Sequence, residues 1–276
     1  MKTITFLGDS ITQAHWETNP PSYSVAYNET YPANVAQLLN VGAVTYSTFS
    51  PFAYANQAEA AKRVITGSDY TCWAAGIGGQ KTSDMLARFD IDVLGHNTDF
   101  LVLLAGVNDI ANGITPSEAI ANVQLIINKC KANSIIPILA KITPWTRGTT
   151  QNKDDADTFN SLLVSLGVSN NVRVVDTFTP LAKTDGSRNI KDEYNADGIH
   201  MTPAGYNALA SLFTSSVFEQ LPYDLDVILI DNLFDLDVIL NISSGLPIYI
   251  GSQQVQKMYI GSQEVVHLYK GTTQIF

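Results

Sequence analysis

Strand-like and helix-like segments alternate through the first two-thirds of the chain, and that alternation predicts an α/β fold built on a parallel sheet. Thr3–Leu7 reads as the first strand, and Tyr31–Leu39 (YPANVAQLL) as a helix with apolar residues at helical spacing. Tyr70–Ala75 and Phe100–Ala105 are short apolar runs of the kind that fill buried parallel strands. Thr115-Pro116-Ser117-Glu118 carries three concurrent helix-start signals: a capping Thr, a Pro at the first helical position and a Glu that completes a capping box. Ala119, Val123, Ile126 and Ile127 then line one face of that helix. Ile135–Ala140 reads as a strand, Asp155–Leu166 as a helix and Val172–Asp176 as a strand. Thr202-Pro203 opens a last helix through about Phe218.

Two stretches break the alternation. Gln13–Thr30, with Trp16, Tyr23, Tyr27 and Pro20-Pro21, reads as a polar, aromatic loop. Val44–Thr66 reads as an insertion containing a helical piece, Asn56–Val64. Beyond residue 220 the character changes. Asp-Leu-Asp-Val-Ile-Leu occurs at 224–229 and 235–240, and Tyr-Ile-Gly-Ser-Gln at 249–253 and 259–263, with Tyr269-Lys270-Gly271-Thr272-Thr273 as a third copy ten residues on. Strand residues around Gly-Ser or Gly-Thr predict a meander of short antiparallel strands. Such repeats must stack on something to bury their apolar side. The expected organisation is therefore an α/β domain over 1–220 and a small β-rich module over 221–276.

Four short segments carry chemistry. Gly8-Asp9-Ser10-Ile11-Thr12 directly follows the first strand, which puts Ser10 at a strand's carboxyl end, where open α/β sheets place their sites. In Asp197-Gly198-Ile199-His200 the imidazole is a candidate to take a serine proton. An Asp three residues earlier, with a Gly between, can turn back to hold the ring's other N–H. Gly76-Ile77-Gly78-Gly79 and Gly106-Val107-Asn108-Asp109 each follow a strand. The first offers backbone N–H groups close to a substrate, and the second offers the Asn108 amide, as donors for a developing oxyanion. Alone, each has a plainer reading: a helix cap, a surface loop, a flexible turn, a helix-starting turn. Together they differ, because one parallel sheet would gather all four at one edge.

With these four blocks in this order, the chain resembles the SGNH (GDSL-type) hydrolase family over roughly residues 2–218. YPANVAQLL and the TPAGY after His200 resemble it too. The resemblance implies a three-layer α/β/α, flavodoxin-like sheet. It also implies Ser10 as nucleophile, His200 as general base and then acid, and Asp197 as its orienting carboxylate. The Ser10 and Gly79 N–H groups and the Asn108 side chain would form the oxyanion hole, with Asp9 and Asp109 structural. Two features depart from the family: Ala74 stands where an Asn usually precedes the second block, and the 44–66 segment is long. The α/β-hydrolase Gly-x-Ser-x-Gly elbow is absent.

The family spans lipases, thioesterases and carbohydrate acetylesterases. The aromatic, polar loop after Ser10 favours an O-acetylated carbohydrate, with a short-chain lipase or thioesterase and a non-catalytic glycan-binding protein as the alternatives. Trp16, in that loop, and Trp145, after the 135–140 strand, are candidate substrate contacts, though packing is an equal role for Trp145. No cofactor is expected. His15, His96 and His267 lack metal-ligand spacing, and two cysteines, Cys72 and Cys130, are too few for a metal cluster or a disulfide framework. Buried thiols are the expectation, with pairing between them left open. A net charge of −10 argues against nucleic acid and anionic membranes as partners. The apolar runs of five or six residues fall far short of the roughly 20 needed for a membrane span.

The residues before Gly8 do not form a signal peptide. The expectations are action in the cytoplasm, release by lysis or a non-classical route, or a signal already removed. The C-terminal repeats resemble short Tyr-x-Gly-Ser/Thr repeats at the ends of bacteriophage tail proteins, which implies virion association and a homo-oligomer built through the repeats.

Overall fold

The computed structural model describes residues 1–13, 15–16, 23–24, 30–40, 42–49, 62–215, 248–250, 253–255, 269–270 and 273–274. Its elements run β1 (Lys2–Gly8), α1 (Ser10–Gln13), β2 (His15–Trp16), β3 (Tyr23–Ser24), α2 (Tyr31–Leu39), β4 (Thr45–Phe49), β5 (Lys62–Thr66) and β6 (Tyr70–Gly76). Then come α3 (Thr82–Ala87), α4 (Phe89–Asp92), β7 (Phe100–Leu104), α5 (Val107–Ala111), α6 (Pro116–Ala132), β8 (Ile136–Ala140), α7 (Thr150–Asn170), β9 (Arg173–Val175) and α8 (Pro203–Phe213). The chain divides into two compact units, Met1–Phe218 and Glu219–Phe276.

Seven strands form one sheet in the order β4-β5-β6-β1-β7-β8-β9. The five from β6 to β9 are parallel, and in chain order they run second, first, third, fourth, fifth, the flavodoxin-like winding. Strand order reverses between β1 and β7, so their carboxyl ends flank a crevice that no connection crosses. Register sets the ends side by side: Gly8 lies opposite Gly76 on one flank and Leu104 on the other. Because parallel crossovers are right-handed, the reversal sends α2 to one face of the sheet and α3, α6 and α7 to the other. The helices pack accordingly, α2 with α8, and α6 with both α3 and α7.

The central strands are apolar because both faces are covered: every residue of β7 is buried. On the α2 face, the Tyr31 ring meets Phe6 edge-on at 5.4 Å and stacks on Phe213 at 5.5 Å. The capping box at the start of α6 forms as expected: the Glu118 N–H donates to Thr115 Oγ1, and the Thr115 N–H to Glu118 Oε2 at 3.0 Å. Helix α7 begins five residues earlier than expected, because Thr149 caps it and Asn152, in place of a Glu, closes the box. Cys72 and Cys130 are buried free thiols.

The flank of the sheet corrects the sequence reading. Of the helical piece expected at Asn56–Val64, residues 62–64 lie in β5, which runs antiparallel to both β4 and β6. The window carries three Ala with one each of Gln, Glu, Lys and Arg, which favours helix locally, but pairing with the β6 edge decides the outcome at its end. Residues 56–61 lie outside the described residues. Within the expected loop Gln13–Thr30, β2 and β3 form a two-residue antiparallel ladder. The last helix is α-helical over Pro203–Phe213, and residues 216–218 of its expected span lie outside the described residues.

In the second unit, Ile248–Ile250 pairs antiparallel with Gln253–Val255, and Tyr269–Lys270 with Thr273–Gln274. These hairpins fall on the first and third decapeptide copies. The middle copy and the Asp-Leu-Asp-Val-Ile-Leu pair lie outside the described residues. Among the described residues no helix is long and apolar enough to cross a membrane.

Candidate active site

The chain leaves β1 at Gly8 and turns at once into α1, whose first residue is Ser10. Asp9 makes that turn possible: its Oδ1 accepts the Ile11 N–H at 2.9 Å and its carbonyl accepts the Gln13 N–H at 2.9 Å. The neighbouring strand end closes over the turn so tightly that a Cβ on Gly76 would stand 2.2 Å from the Gln13 nitrogen. Ser10 is 3 % exposed, just past the carboxyl end of β1.

His200 reaches Ser10 from a loop 190 residues away, its Nε2 lying 2.9 Å from Ser10 Oγ. On the other side of the ring, Nδ1 lies 2.8 Å from Asp197 Oδ2. An ionised carboxylate only accepts, so Nδ1 carries the hydrogen and Nε2 faces the serine hydroxyl as acceptor. Burial pushes the Asp197 carboxyl up, but hydrogen bonds from the His200 ring and backbone outweigh it and hold the group below its ordinary value. The other oxygen, Oδ1, accepts the backbone N–H groups of Ile199 and His200 at 3.1 and 2.8 Å. Gly198 shapes this loop with a φ of +97°. Its carbonyl accepts the N–H groups of Thr146 and Arg147 at 2.7 and 3.1 Å, tying the loop to the chain that leaves β8.

The second and third blocks lie at the ends of β6 and β7, beside Ser10. Among the described residues, the backbone N–H groups of Ser10 and Gly79 take no protein acceptor, which leaves both available as donors. Gly78 differs: its N–H is taken by Gln13 Oε1 at 2.7 Å. One N–H of the Asn108 amide donates to the Gln80 carbonyl at 3.0 Å, which fixes the orientation of that side chain. Asp109, next to it, is buried and accepts from both the N–H and the hydroxyl of Thr82, the latter at 2.6 Å. Asp109 thus ties the start of α3 to the start of α5. Burial raises its pKa against the lowering effect of those bonds. Asp9 is fully buried, and desolvation pushes its carboxyl up to about 7.

Three residues of this region carry no signal in the sequence. Arg88, Gln80 and Thr82 read locally as an ordinary loop and helix start. Yet Arg88 is 3 % exposed, with its guanidinium reaching Gly8 O, Ala75 O, Gln80 Oε1 and Asp92 Oδ2. Only the meeting of the β1 and β6 ends with the turn at Gln80 reveals it.

Trp145 requires a correction. It is 5 % exposed and packed under Gly148, and its indole nitrogen has no hydrogen-bond partner among the described residues, so it offers no open ring face for stacking on a sugar. The side chain of Trp16 lies outside the described residues. Among the described residues, no group of three His, Cys, Asp or Glu side chains could hold a metal ion.

A profile described as the GDSL-like Lipase/Acylhydrolase family matches residues 6–208, well over half of the chain. The chain belongs to that family. Its GDSL-like sheet is similar to that of a GDSL-like lipase from Bacteroides thetaiotaomicron (TM-score 0.57, 19 % identity, covering 80 % of this chain and 89 % of the other). It is also similar to the acetyl xylan esterase AlAXEase (TM-score 0.57, 22 % identity, 78 % and 99 % coverage). Axe2, an acetylxylan esterase from Geobacillus stearothermophilus, is a third (TM-score 0.55, 19 % identity, 78 % and 93 % coverage). At these identities the likeness is one of fold. A curated relative, the uncharacterized lipoprotein YqeF of Bacillus subtilis, is 25 % identical over 162 residues, 48 % of this chain and 67 % of its own.

Proposed function

We propose that this GDSL-family chain is a serine esterase that works through an acyl-Ser10 intermediate, with an O-acetyl group on a carbohydrate as its substrate. The observation that carries the reading is the unbroken line from Ser10 Oγ to His200 Nε2 (2.9 Å) and from His200 Nδ1 to Asp197 Oδ2 (2.8 Å). A hydroxyl so placed loses its proton to the imidazole as its oxygen attacks an ester carbonyl. The resulting imidazolium lies against an ionised carboxylate, which stabilises it where it forms.

Negative charge then gathers on the former carbonyl oxygen. The Ser10 N–H, the Gly79 N–H and the second N–H of Asn108 are the donors for it, fixed before the reaction begins. Collapse breaks the bond to the leaving alkoxide, which takes the proton from His200. Water then attacks the acyl-Ser10 carbonyl, giving its proton to His200. That proton returns to Ser10 Oγ as the acid departs.

The acetyl-carbohydrate reading draws support from the activities for which AlAXEase and Axe2 are named and from the aromatic, polar sequence that follows Ser10. The negative net charge disfavours polyanionic partners such as nucleic acid. The decapeptide repeats are read as an assembly module, which light scattering after size exclusion checks: a trimer supports it and a monomer opposes it.

The substrate test is acetate release across acetylated polysaccharides, paired with turnover of p-nitrophenyl acetate and octanoate. Acetate release with a preference for the short ester supports the proposal. Preference for the octanoate points to a lipase or thioesterase. No turnover of any ester, with glycan binding retained, would leave only the binding-protein reading.

A further inference from the structure

We propose that Arg88 and Gln80 together form a positioning device that holds the three oxyanion donors in register, so that the pair acts on kcat without touching substrate. This rests on the esterase reading above. The donors belong to three separate stretches of chain, following β1, β6 and β7. Sheet register aligns the strand ends, but it stops at Gly76. Gly79 lies three residues beyond, in an exposed turn whose internal closure is one long hydrogen bond, from the Gln80 N–H to Ile77 O at 3.4 Å.

Before Gly79 the turn is held by the Gly78 N–H on Gln13 Oε1 at 2.7 Å; after it the turn is held by Gln80, which is gripped at two atoms. Its carbonyl accepts from Asn108 Nδ2 at 3.0 Å, and its side-chain Oε1 accepts from Arg88 Nε at 2.6 Å. The same guanidinium donates through Nη1 to Ala75 O and through Nη2 to Gly8 O, both at 2.8 Å. Gly8 O also accepts the Ile77 N–H at 3.1 Å. One rigid planar fork therefore spans the end of the nucleophile strand, the end of the neighbouring strand and the turn that carries the Gly79 N–H. Gln80 passes the constraint on to Asn108. A guanidinium fixes all these directions at once, whereas a lysine ammonium on a flexible stem does not. Asp92, in contact with Nη1, supplies the countercharge that such burial demands.

A purely structural role would need only part of this. The bonds to Gly8 O and Ala75 O satisfy carbonyls at the strand ends, and they account for a buried arginine by themselves. The bond from Nε to Gln80 does nothing for the sheet; it fixes a surface turn. Positioning therefore predicts a catalytic cost at Gln80 with no cost to folding.

The experiment measures kcat, KM and thermal midpoint on the full chain with p-nitrophenyl acetate, for wild type, Gln80→Leu, Gln80→Glu and Arg88→Lys. Gln80→Leu keeps the volume and removes the acceptor. It should lower kcat by about tenfold, less than the roughly 10²–10³ lost with a whole donor, and leave KM within about twofold. Its midpoint should stay within about 2 °C of wild type. Gln80→Glu keeps an acceptor for Nε and should recover kcat to within about threefold of wild type, since the contact is restored. Arg88→Lys should lose at least as much as Gln80→Leu, and the double variant should lose no more than Arg88→Lys alone, the non-additivity of one shared contact.

Wild-type kcat in Gln80→Leu, or a Gln80→Glu as slow as Gln80→Leu, overturns the proposal. If Arg88→Lys fails to fold, the two Gln80 variants decide alone. Failure of wild type to hydrolyse any ester would sink the esterase reading instead, so the two outcomes stay distinct.

Discussion

The two sides of the active site are held by opposite means. On the serine side, Asp9, Ser10, Arg88 and Asp109 are buried beside the ends of parallel strands, and those strand ends fix them. On the histidine side, Asp197 keeps 18 % of its side-chain surface, and its loop is fixed by short local hydrogen bonds and by the Gly198 carbonyl. The carboxyl groups register the contrast. Asp9 is pushed up by desolvation to about 7, while Asp197 is drawn below its ordinary value by His200. The same residue type, on either side of one hydroxyl, caps a turn in the first place and holds an imidazole ring in the second. Removing one of these buried groups on the serine side should therefore register in stability as well as rate, and removing the Asp197 carboxylate chiefly in rate.

Asp197→Asn tests the histidine side most severely. It should cost about 10³–10⁴ in kcat, because an amide no longer enforces the Nδ1–H tautomer, while circular dichroism stays native. A loss below about tenfold would mean that the carboxylate orients nothing. Asn108→Ala removes a donor and its tie to Gln80 from the serine side. A drop of about 10²–10³ in kcat is expected, with a folded protein.

Gly198→Ala sharpens the comparison within the histidine loop. A Cβ there would stand 2.4 Å from Arg147 Cγ at a positive φ, so about 1–3 kcal/mol of strain should lower both the midpoint and kcat. An unchanged kcat would show that the loop tolerates displacement.

The smallest effect belongs to Asp9. A carboxyl with its folded pKa above the unfolded value binds more protons when folded, so it costs stability as pH rises from about 4 to about 7. Asp9→Asn keeps an acceptor for the Ile11 N–H and should flatten that decline, with a gain of about 1 kcal/mol at pH 8 in denaturant titration. Asp197 works in the other direction: its contribution is present above the unfolded pKa and is lost only as pH falls through its lowered value. Equal pH dependence in wild type and Asp9→Asn would contradict the burial argument.

Much of this arrangement was legible in the chain. The blocks at Ser10, Gly79, Asn108 and Asp197–His200 each follow a strand or precede a helix, and strand winding brings the first three to one edge of the sheet. The cap at Thr115 was equally plain, because every residue it needs lies within four positions. What could not be read depends on distant partners. Arg88 stands out in no local motif, and its role shows only when the ends of β1 and β6 supply carbonyls for it. Residues 62–64 look helical until β6 offers an edge to pair with. Trp145 fits a substrate wall or a packed core equally well in the sequence, and only the approach of Gly148 decides for packing. Local propensity locates elements; burial of a particular side chain is settled by what arrives from elsewhere in the fold.

The central claim is that one hydroxyl, activated across 2.9 Å by His200, carries the acyl group. Intact-mass analysis after exposure to a fluorophosphonate, with peptide mapping, addresses it directly. One equivalent of label on Ser10 is expected, along with none on Ser10→Ala and an esterase rate lower by at least about 10⁴ in that variant. Label on another residue, or a Ser10→Ala protein that still cleaves p-nitrophenyl acetate at the wild-type rate, would contradict it.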